Sequence, residues 1–362
     1  MNNMFYDPKK DFEDNLTNGP YFDEIPKLVR EGEPQFSFLG FPLYLPFGIG
    51  AGPLPSSKHV EAAFKWGYDV VNYKTQRSVA FRANKFPHVV AVDTDGDISL
   101  EKVKEGLTKS DDDKPVDVSK LNITNSFGNP SKGPDYWKED MARGVASAGK
   151  GQIMIGSAVG TIKDGFTPEN YWQDFADTAK MVSDAGVKIV EVNLSCPNVA
   201  SEGVICYTKD AVIEICRRSK EAIGDTPLVI KMGHYADEQQ SLLEEIIAEV
   251  DQYIAAISGI NTLSAELRDK QGKQALPGEN RLKTGLCGAG IKWAGLEMVE
   301  RLAGIRDQKG YNFEIIGMGG CMTPDDFFEY REAGADVVQA CTAPMWSPTL
   351  AHEIASQMRK NG

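Results

Sequence analysis

Short apolar runs alternate along the chain with segments in which apolar residues recur every three or four positions. The strand-like runs are 47–51, 69–74, 153–157, 187–193, 228–231, 255–260, 313–317 and 336–341. Helical periodicity fills the spaces between them at 58–66, 168–185, 210–223, 238–250, 294–305, 324–333 and 349–360. Short strands that alternate with helices indicate parallel βα units. Eight such units predict an α/β fold, a (β/α)8 TIM barrel, in preference to an open doubly wound sheet.

Several segments interrupt this alternation. Residues 1–42 predict an N-terminal arm that packs on the barrel and ends near a strand pair at 36–38 and 43–45. The other interruptions are a hairpin-like excursion at 85–99, a solvated insertion or helix at 101–118, a loop at 124–131 and a long polar insertion at 263–290. We expect insertions in strand-end loops of one barrel domain that spans 1–362.

Polar residues recur where the predicted strands end. They are Lys74-Thr75, Asn193 to Asn198, Lys231, Asn261-Thr262, Gly319-Gly320 and Thr342. A hydrophobic core requires none of them, and barrel enzymes carry their active sites on the loops after the strand C-termini. The pattern predicts a functional site at that face.

Glycines follow the seventh strand, and Cys341-Thr342 follows the eighth. Barrel proteins often bind phosphate between these two loops, and glycine lets the backbone approach the phosphate closely. Ordinary turn glycines are the alternative for any one position, but two suited loops favour a phosphate site. No GxGxxG follows the first strand, so a Rossmann site is not indicated.

Two lysines, Lys74 and Lys231, end apolar strands. A buried lysine is costly unless it pairs with an anion, so the two favour an anionic cofactor or substrate. A snorkelling surface lysine and a Schiff-base lysine remain the alternatives.

Cys196 lies in a strand-end segment that is rich in asparagine. A lone cysteine is more often an inert buried residue, and no histidine within the motif would pair with it. A thiol can nevertheless act as a base toward a weakly acidic carbon proton. Four asparagines offer a donor and an acceptor together, which suits an amide, imide or pyrimidine edge, although turn formation and capping are the plain alternatives; they are Asn125, Asn193, Asn198 and Asn261.

Composition narrows the class of protein. A formal net charge of −13 argues against a nucleic-acid partner, because phosphate binding needs clustered Lys and Arg. No apolar run approaches the roughly 18 residues of a membrane span, and no signal-peptide core is present. Six cysteines without CxxC spacing and four scattered histidines indicate neither a disulfide scaffold nor a metal site. We expect a cytoplasmic protein without a membrane or metal partner.

Specific motifs carry a family resemblance. NLSCPN at 193–198, TNSFGNP at 124–130, GMGG at 317–320 and CTA at 341–343 resemble the dihydroorotate dehydrogenases. The resemblance implies a (β/α)8 barrel that binds FMN and oxidises dihydroorotate to orotate in pyrimidine biosynthesis. It also implies a small-molecule dihydropyrimidine substrate.

The resemblance also implies roles for residues. Cys196 resembles the base that takes the C5 proton while hydride passes from C6 to flavin N5. Lys74 resembles the lysine between flavin and substrate, and Lys231 the one beside the flavin pyrimidine edge. The implied substrate positions are Lys74, Asn125, Phe127, Gly128, Asn193, Asn198, Asn261 and Thr262. The implied flavin positions are Ala51, Gly52, Lys74, Thr75, Asn193, Lys231, Thr262, Gly288, Gly319, Gly320, Cys341 and Thr342.

A cysteine at the base position is similar to the soluble class, which implies a homodimer and either a soluble electron acceptor or a partner subunit. The insertion 263–290 is similar instead to the flavin domain of dihydropyrimidine dehydrogenases, whereas Asn198 favours dihydroorotate. Dihydrouracil or dihydrothymine oxidation is therefore one alternative. A flavin-free Schiff-base barrel lyase and a non-catalytic barrel are two others.

Overall fold

The computed structural model describes residues 3–25, 30, 32–111, 117–195 and 205–361. The strands are β1 (Phe36–Phe38), β2 (Phe41–Leu43), β3 (Phe47–Ile49), β4 (Val70–Gln76), β5 (Ala80–Phe81), β6 (Val92–Asp93), β7 (Leu107–Lys109), β8 (Asn122–Asn125), β9 (Ser131–Lys132), β10 (Ile153–Ala158), β11 (Ile189–Asn193), β12 (Leu228–Met232), β13 (Ala256–Gly259), β14 (Leu263–Arg268), β15 (Lys283–Gly288), β16 (Glu314–Met318) and β17 (Val337–Ala340). The α-helices are α1 (Phe12–Asn18), α2 (Ser57–Lys65), α3 (Leu100–Glu105), α4 (Pro134–Ala146), α5 (Pro168–Asp184), α6 (Lys209–Ile223), α7 (Gln240–Val250), α8 (Lys292–Lys309), α9 (Pro324–Glu332), α10 (Thr342–Trp346) and α11 (Leu350–Asn361).

Eight parallel strands close into a barrel in the order β3, β4, β10, β11, β12, β13, β16 and β17. The ring closes where Val338 of β17 pairs with Phe47 of β3. Helices lie between successive strands, so the predicted (β/α)8 barrel is confirmed. Each barrel strand falls within a few residues of its predicted position, because a parallel strand covered on both faces reads as a continuous apolar run.

The N-terminal ends of the barrel strands form an apolar layer, which we call the floor. Its buried residues on the strands are Val70, Ile153, Ile155, Ile189, Val229, Ala256, Ile316 and Val337. The antiparallel hairpin β1–β2 closes this end, with Phe38 and Leu43 fully buried against the layer. The hairpin therefore acts as an apolar plug.

Two carboxylates hold the plug to the barrel. Glu314 accepts a hydrogen bond of 2.9 Å from the Leu39 amide. Asp69 accepts from the amides of Tyr44 and Leu45 and pairs with Arg30. Burial raises the pKa of the Asp69 carboxyl to about 6, although Arg30 and the amides oppose that rise.

A second sheet lies outside the barrel. This accessory sheet has the order β6-β7-β14-β15-β8. The segment 124–131 was expected to be a loop, but its beginning belongs to β8, which pairs with β15. The polar insertion 263–290 likewise contains the antiparallel strands β14 and β15. β14 does alternate, with Leu263, Ala265 and Leu267 buried, but the alternation is confined to these six residues. β8 pairs with β15 far along the chain, so local sequence did not reveal the sheet.

Three helices were not expected, and the shortest of them is α10, which follows β17 directly. α1 lies in the arm, where an Asp11 side chain caps its N-terminus, and Phe5 and Tyr6 before it are buried against the barrel. α4 buries only two apolar side chains, Trp137 and Met141, together with Asp140 and Gly144. Its apolar face is therefore short, which hid its helical period. Among the described residues, no helix is long and apolar enough to cross a bilayer.

Candidate active site

The C-terminal ends of the barrel strands, which we call the mouth, carry polar side chains into the barrel. Ser157 of β10, Glu191 and Asn193 of β11, and Lys231 of β12 are all buried. The parallel register pairs Ser157 with Glu191 and Asn193 with Lys231. Alternate residues of a strand face the same side, so the apolar positions of the floor continue on the same face into these polar ones.

A bulge places two more polar residues at the mouth. The pairing of β4 with β10 jumps from Tyr73 opposite Gly156 to Gln76 opposite Ala158, so Lys74 and Thr75 together face Ser157. Such an extra residue redirects side chains locally. The Lys74 ammonium lies 4.8 Å from the centre of the Phe127 ring. Both predicted residues are therefore buried at the mouth.

A buried ion pair lies across the mouth. The Lys231 ammonium is 3.1 Å from Oε1 of Glu191, and their side chains are 1% and 0% exposed. Ser157 Oγ donates to the same carboxylate oxygen at 2.9 Å. The Thr75 hydroxyl lies 3.0 Å from the Ser157 hydroxyl. Thr75, Ser157, Glu191 and Lys231 thus form one continuous polar network, which we call the mouth network.

Two asparagines are oriented by the backbone around Ser195. Asn193 Oδ1 accepts from the Ser195 amide at 3.2 Å and from its hydroxyl at 3.3 Å. Asn261 donates through Nδ2 to the Ser195 carbonyl at 3.2 Å. Since both partners are backbone groups of known polarity, the two carboxamides have defined orientations. Among the described residues, the NH2 group of Asn193 and the oxygen of Asn261 have no hydrogen-bond partner, so both are available for a ligand.

The predicted base and one predicted substrate residue lie outside the described part of the chain. These are Cys196 and Asn198. Ser195, the residue that immediately precedes Cys196, is held by the asparagines on both of its backbone polar groups.

A pocket lies beside the mouth. Its walls include many of the predicted flavin positions: Ala51, Gly52, Gly288, Gly319, Gly320, Cys341 and Thr342. Asn125 and Asn261 line it too. The structure therefore brings together the two asparagines and the glycine-bearing strand ends that the sequence had singled out.

The glycines of the pocket are required by close backbone contacts. Gly319 and Gly320 have φ values of 122° and 72°, a region that favours glycine. A Cβ on Gly320 would lie 2.6 Å from the backbone nitrogen of Lys292. Gly288 has a different reason, because a Cβ there would lie 2.0 Å from the Leu121 carbonyl oxygen beside β8. Gly288 thus serves the packing of the accessory sheet as well as lining the pocket.

The remaining predicted positions lie on the TNSFGNP segment and after β13. Phe127 and Gly128 are buried, and Gly128 has a φ of 80°. Thr262 is half-buried and approaches Gly285 of β15 closely. The segment is fixed by Arg281, whose guanidinium donates to the carbonyls of Ser126 and Pro87. Burial lowers the pKa of Arg281.

Sequence reasoning missed three contributors to the site. Glu191 and Ser157 belong to the mouth network, and Arg281 orders the loop. Glu191 could have been found, because VEVN places it two residues before Asn193 on the same strand face. Nothing in the local pattern distinguishes Arg281.

The pKa of the Cys341 thiol depends on the charges at the mouth. Burial raises the pKa of its thiol, and the positive charge of Lys231 opposes that rise. The Cys341 side chain also lies close to the position that a Cβ on Gly50 would occupy. Within the described residues, no group of three or more His, Cys, Asp or Glu side chains could hold a metal ion.

A closed (β/α)8 barrel with buried lysines and amides at its mouth defines a class of barrel enzymes whose site lies at the strand C-termini. The sequence model of the dihydroorotate dehydrogenase family matches residues 111–361. A dihydroorotate dehydrogenase of Dictyostelium discoideum is 36% identical over 377 aligned positions, which cover 100% of this chain and 99% of that protein. The catalytic subunit of dihydroorotate dehydrogenase B (NAD(+)) of Geotalea uraniireducens is 33% identical over 195 positions, covering 54% of this chain and 59% of that subunit.

The chain belongs to the dihydroorotate dehydrogenase family. It is accordingly an oxidoreductase that acts on CH–CH groups, in a family that generally uses flavin.

Proposed function

We propose that this protein oxidises dihydroorotate to orotate with FMN as its cofactor. The observation that carries the proposal is the arrangement at the mouth: buried Lys74, Asn193 and Lys231 on the barrel strands β4, β11 and β12, beside a glycine-lined pocket. This arrangement offers cations and amides to a flat, polar, anionic ligand.

The residues present fit a flavin mononucleotide. The backbones of Gly319, Gly320, Cys341 and Thr342 supply the close approach that a phosphate group needs, between the loops after the seventh and eighth barrel strands. Ala51, Gly52 and Gly288 would line the flavin. Thr75 and Lys231 would face its ring system from the mouth network. Family membership through the full-length relative supports the same cofactor.

A bound flavin would supply the hydride acceptor, the flavin N5 atom, for the hydride from C6 of the substrate. Lys231 would provide a fixed positive charge beside the ring. Lys74, next to Phe127, would provide a second cation for the substrate carboxylate. The ion pair with Glu191 also argues against a Schiff-base lyase at Lys231, because a paired ammonium is not a nucleophile.

The asparagine orientations fit a pyrimidine edge. Asn193 offers donor hydrogens and Asn261 offers an acceptor oxygen, because their other groups bind Ser195. A pyrimidine dione presents alternating carbonyl and N–H groups, so this pair recognises the two kinds of group. Asn125, Asn198 and the backbone of Phe127 and Gly128 would complete the substrate site, as would Thr262.

Cys196 would take the proton from C5 of dihydroorotate. The support for this role is its position in NLSCPN and the anchoring of Ser195 directly before it. A thiol base toward a carbon acid is chemically sound when the base is held in position. We further propose that the protein is a homodimer and that it works in the cytoplasm. Sedimentation analysis of the purified protein tests the homodimer.

The test is anaerobic reduction of the FMN-loaded protein. We expect dihydroorotate to bleach the flavin absorbance at least 100-fold faster than dihydrouracil, because only dihydroorotate carries a carboxylate for Lys74. Cys196→Ala should slow bleaching by about 100-fold or more, while the flavin stays bound. Asn18→Ala, on the exposed face of α1, is a control that should change neither rate.

Three results would contradict the proposal. Protein that takes up no FMN would exclude the cofactor. Faster bleaching by dihydrouracil than by dihydroorotate would show that the enzyme oxidises dihydrouracil instead of dihydroorotate. An unchanged rate in Cys196→Ala would remove the cysteine from the reaction while leaving the cofactor and substrate in place.

A further inference from the structure

Glu191 is a buried charged residue for which the proposed reaction has no direct use. It lies in the middle of β11, inside the barrel, and is fully buried. One carboxylate oxygen holds Lys231 and Ser157. The other oxygen, Oε2, is buried and has no hydrogen-bond partner among the described residues.

Stability alone does not explain the Glu191–Lys231 pair. Taking two charges out of water costs several kcal/mol per ion, and apolar residues of similar size often stabilise a protein as well or better. The floor shows that this barrel can fill its interior with apolar side chains, such as that of Ile189, which lies two residues before Glu191 on the same strand. The pair therefore has a use other than filling space.

The position of the pair shows what that use is. Lys231 lies opposite Ser258 in the register of β12 and β13, and the Ser258 hydroxyl is 3.9 Å from the sulfur of Met318, which lines the glycine pocket. In agreement with this position, Lys231 and Glu191 have opposite effects on the pKa of the Cys341 thiol. Cys341 in turn lines the glycine pocket. Charges in a low-dielectric interior are weakly screened, so a ligand in the pocket would experience the charges of Lys231 and Glu191 together.

We propose that Glu191 is a positioning residue that fixes the Lys231 ammonium at the mouth and cancels part of its charge. It thereby sets how strongly the site prefers reduced over oxidised flavin. This inference rests on the proposed binding of FMN. It adds that the carboxylate, acting through Lys231, tunes the cofactor without touching the substrate.

The direction of the effect follows from the charges. Reduced flavin carries a negative charge that oxidised flavin lacks. With Glu191 present, the ion pair is close to neutral and favours the reduced form only moderately. Without the carboxylate, the uncompensated Lys231 charge favours an anionic ligand more strongly.

The experiment compares Glu191→Gln with the wild-type protein, both loaded with FMN. Sulfite is the probe, because it adds to flavin N5 and leaves an anionic ring without any turnover. We expect the sulfite Kd to fall at least tenfold in Glu191→Gln. The preference for reduced over oxidised FMN should rise by the same factor, which for a two-electron couple is an upward shift of about 30 mV in potential.

Asp69→Asn is the matched control. Asp69 is equally buried and ion-paired, but it lies at the floor, at the opposite end of the same barrel. Its substitution removes the same charge, so we expect the sulfite Kd to stay within twofold of the wild-type value. A change in both variants would show a general effect of net charge and would overturn the specific role of Glu191.

Glu191→Asp keeps the experiment decisive if Glu191→Gln does not retain FMN. It preserves the charge but shortens the side chain by one methylene, which loosens the contact with Lys231. We expect a fall of about threefold in the sulfite Kd, in the same direction. An unchanged or weaker sulfite affinity in the variants that bind FMN would overturn the inference and leave the proposed function intact. Failure of the wild-type protein to bind FMN would instead overturn the proposed function.

Discussion

The two ends of the barrel are built from the same eight strands but from opposite chemistry. At the floor, inward positions such as Val70, Ile189 and Val229 are apolar, and a hairpin seals the end. Two residues further along β4, β11 and β12, the inward positions become Asn72, Glu191 and Lys231. The register is regular between these positions, and the bulge in β4 comes only beyond them, at Lys74 and Thr75. The side chains at these inward positions change from apolar to polar.

The difference separates stability from function. Apolar burial at the floor contributes favourably at every position, since each buried aliphatic side chain contributes roughly 1.5–3 kcal/mol. The polar mouth lowers this stabilisation, because a buried polar group is unfavourable unless hydrogen bonds compensate for its loss of water. The mouth network provides that compensation through Thr75, Ser157, Glu191 and Lys231. A barrel can therefore hold a polar site only above a sufficiently apolar base.

The largest expected effect is on the floor. Phe38→Ala should lower the free energy of unfolding by about 3–5 kcal/mol, because the ring is fully buried in the plug and leaves a cavity. Urea unfolding, followed by circular dichroism, measures this loss. Phe81→Ala is the control, since that ring is 40% exposed and should cost far less. Equal losses in the two variants would mean that the plug is not part of the stabilising core.

The next effect belongs to the mouth. Lys74→Ala should slow flavin reduction by dihydroorotate about 100-fold to 1,000-fold, the scale for removing one preorganised electrostatic group. The free energy of unfolding should change less than in Phe38→Ala. Stopped-flow reduction under anaerobic conditions gives the rate, and Lys132→Ala, a half-exposed lysine paired with Glu13, serves as the control. A rate within threefold of wild type would exclude Lys74 from the site.

A smaller effect should appear as a pH dependence of the floor. The folded pKa of Asp69, about 6, is higher than the usual 3.8, so the folded protein binds a proton more readily than the unfolded chain between those values. The contribution of Asp69 to stability is therefore present below pH 4 and decreases as pH rises through 6. The advantage of wild type over Asp69→Asn should fall by about 2 kcal/mol between pH 4 and pH 7.

Urea midpoints of both proteins at pH 4, 5, 6 and 7 measure that difference. A constant difference would show that Arg30 cancels the effect of burial. A difference that grows with pH would show that Arg30 outweighs burial and that the folded pKa lies below the usual value.

The smallest effect lies within the mouth network. Ser157→Ala removes one hydrogen bond to Glu191 and leaves the ion pair intact, so it should cost about 1 kcal/mol of unfolding free energy. The rate of flavin reduction should stay within threefold of wild type. Urea unfolding and stopped-flow reduction on the same preparation test both statements. A loss of FMN binding would show that the hydroxyl contacts the cofactor.

Much of the barrel could be predicted from sequence because its strands and helices are local patterns. Lys74 and Lys231 were found because a lysine at the end of an apolar strand is expensive without a partner. The partner itself was not found, since the pairing of Lys231 with Glu191 depends on the register between β11 and β12. The contact of Asn261 with Ser195 was missed for a similar reason, because it joins residues 66 positions apart. The contact of Asn193 with Ser195 is local, and the sequence pattern alone does not show it.

The accessory sheet carries a consequence for the order of folding. Its strand β8 pairs with β15, and four barrel strands from β10 to β13 lie between them in the chain. Contacts between such distant segments form slowly, because the intervening chain must first be ordered. We expect pulsed hydrogen exchange to protect the amides of β11 before those of β8. The pocket wall that contains Asn125 and Gly288 would then be the last part of the molecule to assemble, and capture of a ligand there would mark the completion of folding.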